Sequence, residues 1–504
     1  MSNAYELFPS GATERDPFIY SPKGQIVYTY KDFESTTAMY ANFLTEAGLK
    51  SGDRVIVQVA KSPECLMFYF ACLRAGLIYV PLNTSYKSDE LEYFIEDTDP
   101  SMILCDPAHI KQFRDLSCAT IVSMDSNGEM NIDVSSFHGQ YQTLDRSDND
   151  IAVIIFTSGT TGRPKGAMIS HQNIKSNAVT LSKYWKWTKE DVLLHSLPIF
   201  HIHGLFVASH LPVMNGSPII FCDRFDPKQV ILSLPKSTVY MGVPTNYTRL
   251  LSRPELTHRS CRNMRLFISG SAPLKVSTFE AFKLRTGHTI VERYGMSETG
   301  MNTSNPINGK RKAGTVGLSL PGIECRIVDD NSVETEKNTT GNLQIRGPNV
   351  FQGYWKMPDK TESEFSKDGF FWTGDLARKD SEDYISIVGR SKDLIISGGL
   401  NIYPKEIEDV LNLMEGIEES AIIGLPDPDF GEAVSAVIVK DKKGSITEGE
   451  VKLFIKDHLA SFKTAKHVFF IDELPRNAMG KIQKSVLRKT FSAQLEPRNR
   501  GISC

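Results

Sequence analysis

No stretch of this 504-residue chain runs to the ~18 uninterrupted apolar side chains of a membrane-crossing helix, so no membrane span is expected. Its eight cysteines form no C-x-x-C pair and have no His-rich neighbourhood. Most sit in apolar surroundings, as in Ile103-Leu104-Cys105, and read as reduced core residues rather than zinc ligands. There is no basic surplus: 57 Lys and Arg face 60 Asp and Glu, a net charge of −3. Nothing there calls for nucleic acid or an anionic membrane. The first eighteen residues carry Glu6, Glu14 and Asp16 and lack the apolar segment of a signal peptide, and Ile502-Ser503-Cys504 is not the peroxisomal S-K-L address. A cytoplasmic location is expected. A Walker A loop is missing, and no Ser-His-Asp or Cys-His arrangement stands out.

What is present is ordinary in bulk, with 40% apolar and 23% charged residues, a composition that fits a globular enzyme. The length exceeds one ordinary core and implies at least two domains. Strand and helix patterns alternate from the start. Gln25–Tyr30 is followed by a helix with apolar Tyr40, Phe43 and Leu44, Arg54–Val59 by a helix through Glu64–Leu77, and Tyr79–Leu82 by a helix over Asp89–Thr98. Ser101–Cys105 then reads as a short buried strand. This alternation predicts an α/β fold of parallel-type sheets flanked by helices. Residues 107–149 are polar and weakly patterned. From about residue 315 the chain changes to short strands and turns, a β-rich subdomain reaching residue 390. Gly389-Arg390-Ser391-Lys392-Asp393 is a charged break before a fresh α+β pattern. The expected division is therefore a large domain over 1–390 and a small C-terminal domain over 391–504.

The most specific stretch is Ile151–Ala167, IAVIIFTSGTTGRPKGA. Five apolar residues rich in β-branching read as a buried strand. The strand runs into Thr157, Ser158, Gly159, Thr160, Thr161, Gly162, Arg163, Pro164 and Lys165. Glycines let backbone N–H groups approach an anion, hydroxyls add donors, and Arg163 and Lys165 add charge. A polyphosphate is the ligand this chemistry suits. The run resembles the phosphate-binding signature of the adenylate-forming superfamily, which contains acyl-CoA synthetases, luciferases and peptide-synthetase adenylation domains.

That resemblance implies a reaction. A carboxylate attacks the α-phosphorus of ATP, pyrophosphate leaves, and the thiol of coenzyme A then takes the acyl group, releasing AMP. The carboxylate is already a nucleophile, so cations, Mg2+ and in-line positioning matter more than a general base. The resemblance assigns Thr157–Lys165 to the β- and γ-phosphates. Glu298, within Glu292-Arg293-Tyr294-Gly295-Met296-Ser297-Glu298, becomes the Mg2+ carboxylate, a hard oxygen ligand. Tyr294 would stack on adenine, with Gly270-Ser271-Ala272 along the other ring face. Asp375 would accept the ribose hydroxyls, and Arg390 would contact ribose or phosphates. Lys481, in Pro475-Arg476-Asn477-Ala478-Met479-Gly480-Lys481, resembles a mobile lysine that neutralises charge between carboxylate and α-phosphate. Lys392 would be the hinge of a mobile small domain, and Gly398-Gly399-Leu400 would leave room for pantetheine.

The choice of acid rests on fewer residues. Arg293 places a cation beside the adenine-stacking Tyr294, and Arg249 shares a helix face with Thr245 four residues earlier. A second substrate carboxylate needs such partners, because an unpaired buried charge costs several kcal/mol. His195, His201 and His203 fall within nine residues, but without a nearby carboxylate they read as structural rather than metal-binding. In the resembled superfamily His201 lines the acyl pocket. Together these features resemble the malonyl-CoA synthetases and point to malonate, with methylmalonate open because one methyl changes binding by only ~1–3 kcal/mol. Ligation of another short, medium-chain, aryl or oxalate-type acid, or a stand-alone adenylation domain, remains the alternative. No obligate protein partner is evident.

Overall fold

The computed structural model describes residues 3–8, 12–157, 164–397, 400–441, 445–477 and 480–495. The chain forms two compact units, Met1–Cys325 with Ile345–Phe371 and Arg326–Gln344 with Trp372–Cys504. Among the described residues, no helix is long and apolar enough to cross a membrane.

The first unit holds two sheets. The six-stranded sheet runs Thr120–Ser123, Met102–Cys105, Arg54–Gln58, Ile78–Pro81, Ile151–Thr157, Lys165–Ser170. Its pairs are parallel except the last. Ile56, Val80, Phe94, Ile103 and Ile154 form a core with no exposure on one face. The continuous apolar runs in these strands follow from burial on both faces. The helix Pro63–Arg74 is buried from Cys65 to Arg74, so it shows no amphipathic stripe. Its start is set by Ser62, whose Oγ accepts from Cys65 N at 3.1 Å, and by proline at the first turn.

One element departs from the sequence pattern. The phosphate-loop strand leads into a second strand, Lys165–Ser170, antiparallel to it with Thr157 opposite Lys165. Lys-Gly-Ala does not read as a strand, yet Gly166 and Ala167 are buried beneath neighbouring elements. Only then does the helix His171–Tyr184 begin, capped by Ser170 and Asn173 in a reciprocal pair at 3.2 and 2.9 Å. The loop from Ser158 to Arg163 lies outside the described residues.

The nine-stranded sheet runs Leu318–Ser319, Gly300–Ser304, Ile290–Met296, Leu266–Ser269, Val239–Gly242, Leu193–His195, Ile219–Phe221, Pro17–Tyr20, Ile26–Thr29. Its centre is parallel and both margins are antiparallel. Ile290–Met296 makes the transition. It pairs with the parallel neighbour as far as Ser269 opposite Glu292, then with Gly300–Ser304 from Arg293 onward. Residues 293–296 thus extend past the carboxyl end of a parallel strand, where α/β sheets collect ligands.

The weakly patterned stretch 107–149 contains a helix, Ile110–Leu116, and the edge strand Thr120–Ser123. Its remainder is held by side chains that donate to its carbonyls. Asn42 reaches His138 and Gln140 at 2.7 and 2.9 Å, and Arg74 reaches Tyr141 at 2.7 Å. Such anchoring leaves no hydrophobic period in the sequence.

In the second unit, Phe371–Lys379 pairs antiparallel with Ile385–Arg390, setting Asp375 opposite Arg390. The C-terminal part is the expected α+β layer. Leu400–Ile402, Ile395–Ser397, Gly431–Lys440 and Ile417–Asp427 pair in that order, and His467–Ile471 adds to Gly431–Lys440. Helices Pro404–Leu411 and Glu448–His458 contribute Ile407, Leu411, Val451 and Ile455 to its core. Lys392 lies inside this unit, in the one-turn helix Ser391–Asp393.

Candidate active site

In the first unit, the ends of the phosphate-loop hairpin meet the turn that follows Met296. Thr157 Oγ1 donates to Glu298 Oε1 at 3.3 Å, and the Tyr354 hydroxyl donates to the same oxygen at 3.1 Å. Oε2 makes no hydrogen bond among the described residues. Glu298 is nearly buried, at 6% exposure, so its free oxygen is a hard donor in a water-poor recess. A phosphate-bound Mg2+ fits that donor, since such ions take one or two carboxylates and complete their shell with phosphate and water oxygens. Lys165 sits beside it, its Nζ 4.3 Å from the Tyr354 ring centroid and 3.6 Å from Glu364 Oε1. Lys360 shares that carboxylate at 2.6 Å. Tyr354 and Glu364 have no conspicuous sequence signal; they reach the site because Trp355 N donates to Gly166 O at 2.8 Å, tying their segment to the hairpin.

A second group gathers at the ends of Leu266–Ser269 and Ile290–Met296. Gly270, Ser271 and Ala272 form the turn after the first strand. Glu292 braces it, with Oε1 accepting from Leu274 N at 2.9 Å. Tyr294, Gly295, Met296 and Ser297 are partly accessible along the second strand and its turn. Gly295 cannot carry a side chain, because a Cβ would overlap Gly300 O. Arg293 points inward and is 3% exposed. No carboxylate pairs with it among the described residues, and its Nε and Nη2 are enclosed without a hydrogen-bond partner. Desolvation pulls its pKa from 12.5 down to about 9.

His203 shares this recess. Its Nδ1 lies 3.2 Å from Ser271 Oγ, and its Nε2 is enclosed without a partner. Burial, reinforced by the Arg293 charge, holds it far below the usual imidazole range, so it is neutral. In the tautomer in which Ser271 donates to Nδ1, the proton sits on Nε2 and a further donor faces the recess. Ser271 adopts φ of 72°, a left-handed conformation disfavoured for serine and characteristic of functional sites. Gly270 is required for another reason, because a Cβ there would overlap the Arg293 guanidinium. Gly270→Ala is therefore expected to displace Arg293 and raise the acid KM about tenfold, a loss near 1.4 kcal/mol, while the KM for ATP changes less. Steady-state kinetics with each substrate varied in turn checks this.

The other expected residues are placed as follows. His201 is partly accessible, its ring stacked obliquely on Phe200 at 4.5 Å. Arg249 is exposed on the helix Pro244–Leu251, whose buried face is Asn246, Tyr247 and Leu250. The structure therefore brings Arg293 together with His203 and Ser271, and leaves Arg249 at the surface. Within the second unit, Asp375 and Arg390 form an ion pair at 2.9 Å, with Asp375 buried and Arg390 also donating to Thr373 O at 3.2 Å. Lys392 is held below the usual lysine range by burial. Lys481 is exposed on a turn built by Asn477, whose Oδ1 accepts from Lys481 N at 3.0 Å, and by Gly480 at φ of 73°. Leu400 is exposed; Gly398 and Gly399, like Ser158, Gly159, Thr160, Thr161, Gly162 and Arg163, lie outside the described residues.

A hydroxyl, a lysine and a recessed carboxylate thus meet at the mouth of one hairpin, with a strand-end turn alongside. The chain belongs to the AMP-binding enzyme family, whose model matches residues 10–355, with the AMP-binding enzyme C-terminal domain matching 406–481. ATP-bound MatB from Rhodopseudomonas palustris is 46% identical, with a TM-score of 0.95 over 97% of this chain and 99% of that one. Malonate–CoA ligase of Arabidopsis thaliana is 34% identical over 89% of this chain and 79% of that protein. Feruloyl-CoA synthase of an Amycolatopsis species is 32% identical over 93% and 95%. The protein is an AMP-forming acid–thiol ligase, and ATP and coenzyme A are its co-substrates.

Proposed function

We propose that this ligase activates malonate, with methylmalonate as a secondary substrate, and forms the corresponding acyl-CoA. The observation that carries the proposal is the buried Arg293, its Nε and Nη2 both unpartnered, beside a neutral His203. An uncompensated guanidinium is retained in a protein interior only where something else completes it, and a carboxylate is its best complement. A diacid would set its distal carboxylate there and its proximal carboxylate toward the α-phosphorus. His201 would line the entrance, and Arg249, exposed on its helix, is left out of this reading.

In the first half-reaction the phosphate loop and Lys165 bind the leaving pyrophosphate oxygens. Glu298 would hold Mg2+, which when bound supplies charge neutralisation on the phosphates. Asp375 and Arg390 would contact the nucleotide, and Lys481 would neutralise the charge developing between acid and phosphate. Lys481 must leave before a thiol can attack, so rotation of residues 391–504 about Lys392 is part of the proposal. That rotation would bring the loop of Gly398, Gly399 and Leu400 to pantetheine. This chain matches malonate–CoA ligases over 89% of its length, and the seven described cysteines are all free, which fits the reducing cytoplasm proposed for this chain.

The test is acid-dependent pyrophosphate release across mono- and dicarboxylic acids, followed with pH. Malonate is expected to give the highest kcat/KM. Desolvation lowers the Arg293 pKa, yet a guanidinium keeps its proton throughout the working range, so the preference for the diacid should hold at every pH tested. A monoacid preferred at all pH values refutes the assignment. A second reading, ligation of a bulkier acid, draws on the similarity to feruloyl-CoA synthase; the same panel decides it.

A further inference from the structure

Lys61 takes no part in the chemistry derived above, yet its ammonium is built into the site's support. The residue follows the strand Arg54–Gln58 of the six-stranded sheet, and its side chain crosses to the nine-stranded one. There Nζ donates to the carbonyls of Cys222 at 2.6 Å and His195 at 3.0 Å, and lies 3.1 Å from His195 Nδ1. The Phe221 ring centroid is 4.2 Å away. These acceptors sit at the carboxyl ends of the neighbouring strands Leu193–His195 and Ile219–Phe221. Part of the Lys61 stem is accessible, but desolvation of the ammonium, against weak opposing pulls from Cys222 and Asp223, lowers its pKa to about 7. The ammonium is thus held by three acceptors against a desolvation cost they offset only in part.

The imidazole passes this contact onward. An ammonium donating to Nδ1 leaves the His195 proton on Nε2, which is 3.0 Å from Gly204 O and 3.2 Å from Ser209 Oγ. Ser209 Oγ also donates to Gly204 O, at 2.8 Å. Gly204 belongs to the π-helical turn His203–Val207. Such turns are rare and recur at functional sites. A Cβ on Gly204 would overlap Pro198 O, so the turn is pressed against the preceding chain. His203, the neighbour of Gly204, is the residue that meets Ser271 beside Arg293.

We propose that Lys61 and His195 are positioning residues for acid recognition, a chain from ammonium to imidazole to carbonyl that holds the His203–Val207 turn where His203 meets Ser271. This rests on the acid pocket proposed above. Neither residue donates to Arg293 or His203, so their effect is transmitted through the Gly204 carbonyl.

The test uses Lys61→Met, His195→Gln and the double variant, with the acid that wild type turns over best. An acid other than malonate emerging from the wild-type panel would refute the malonate assignment without touching this one. Each single variant is expected to raise the acid KM about tenfold, in the range of one charge-assisted hydrogen bond, and to change the KM for ATP less than about twofold. The double variant should be no worse than the more damaging single one, because both break one chain. Lys61→Arg should restore the acid KM to within about threefold, since the cation is kept. Ser209→Ala, which removes only the second donor to Gly204, keeps the test open if Lys61→Met does not fold; a smaller rise in acid KM is expected. An unchanged acid KM, an equal rise in both KM values, or multiplying effects in the double variant would overturn the proposal.

Discussion

Arg293→Met is expected to lower kcat/KM for malonate by roughly 10²–10³, the cost of leaving about 3–5 kcal/mol of buried carboxylate charge without a partner. Turnover of a small monocarboxylic acid should be preserved or improved, because the variant replaces an unpaired cation by an apolar chain of similar length. The two acids therefore move in opposite directions, which distinguishes loss of recognition from loss of folding. A second readout follows from the same burial. In the free enzyme, Arg293 Nε and Nη2 are enclosed without partners, and groups left so cost about 1–3 kcal/mol each in stability. Desolvation lowers its folded-state pKa, so the charged side chain burdens the fold at pH 7. Arg293→Met should thus raise the unfolding midpoint at pH 7 while removing malonate activity. Arg293→Lys does not substitute for it, since a point charge lacks the planar fork that pairs with a carboxylate. Equal malonate turnover in wild type and Arg293→Met would disprove the assignment.

Lys481→Ala is expected to slow the adenylate-forming half-reaction by roughly 10²–10³, equivalent to ~3–4 kcal/mol of lost transition-state stabilisation. Transfer to coenzyme A from a supplied acyl-adenylate should change less than about threefold, a difference below ~0.7 kcal/mol. The split is the informative part. A lysine serving both steps would lose both, and one that is only a solvated turn cation would lose neither. Single-turnover measurement of the two half-reactions, with pyrophosphate and acyl-CoA followed separately, decides among these. The turn itself survives the change, because Lys481 joins it through its backbone, its N–H donating to Asn477 Oδ1 and its carbonyl accepting from Asn477 N.

How far the sequence reached differs by element. The parallel strands of the first unit were readable because both faces are covered, leaving unbroken apolar runs such as Met102–Cys105. Lys165–Ser170 was not, since a strand of Lys, Gly and Ala owes its place to partners on either side rather than to its own pattern. The stretch 107–149 was equally silent, being anchored by Asn42 and Arg74 from other elements.

The site divides along the same line. Thr157, Lys165 and Glu298 were identifiable because phosphate and metal chemistry restrict residue type within short contiguous motifs. Tyr354 and Glu364 were not, for they join Lys165 across nearly two hundred residues of chain. Among the histidines, His201 stands out in sequence, whereas His203 is the one placed against Ser271 beside Arg293. A three-dimensional turn decides that, and Gly204 and its π-helical conformation carry no local signal for it. Reaction class was legible in residue order, because handling polyphosphate requires a loop whose residues are adjacent. The environment that would choose the acid was decided by tertiary structure alone, because whether a buried arginine has a partner depends on every element around it.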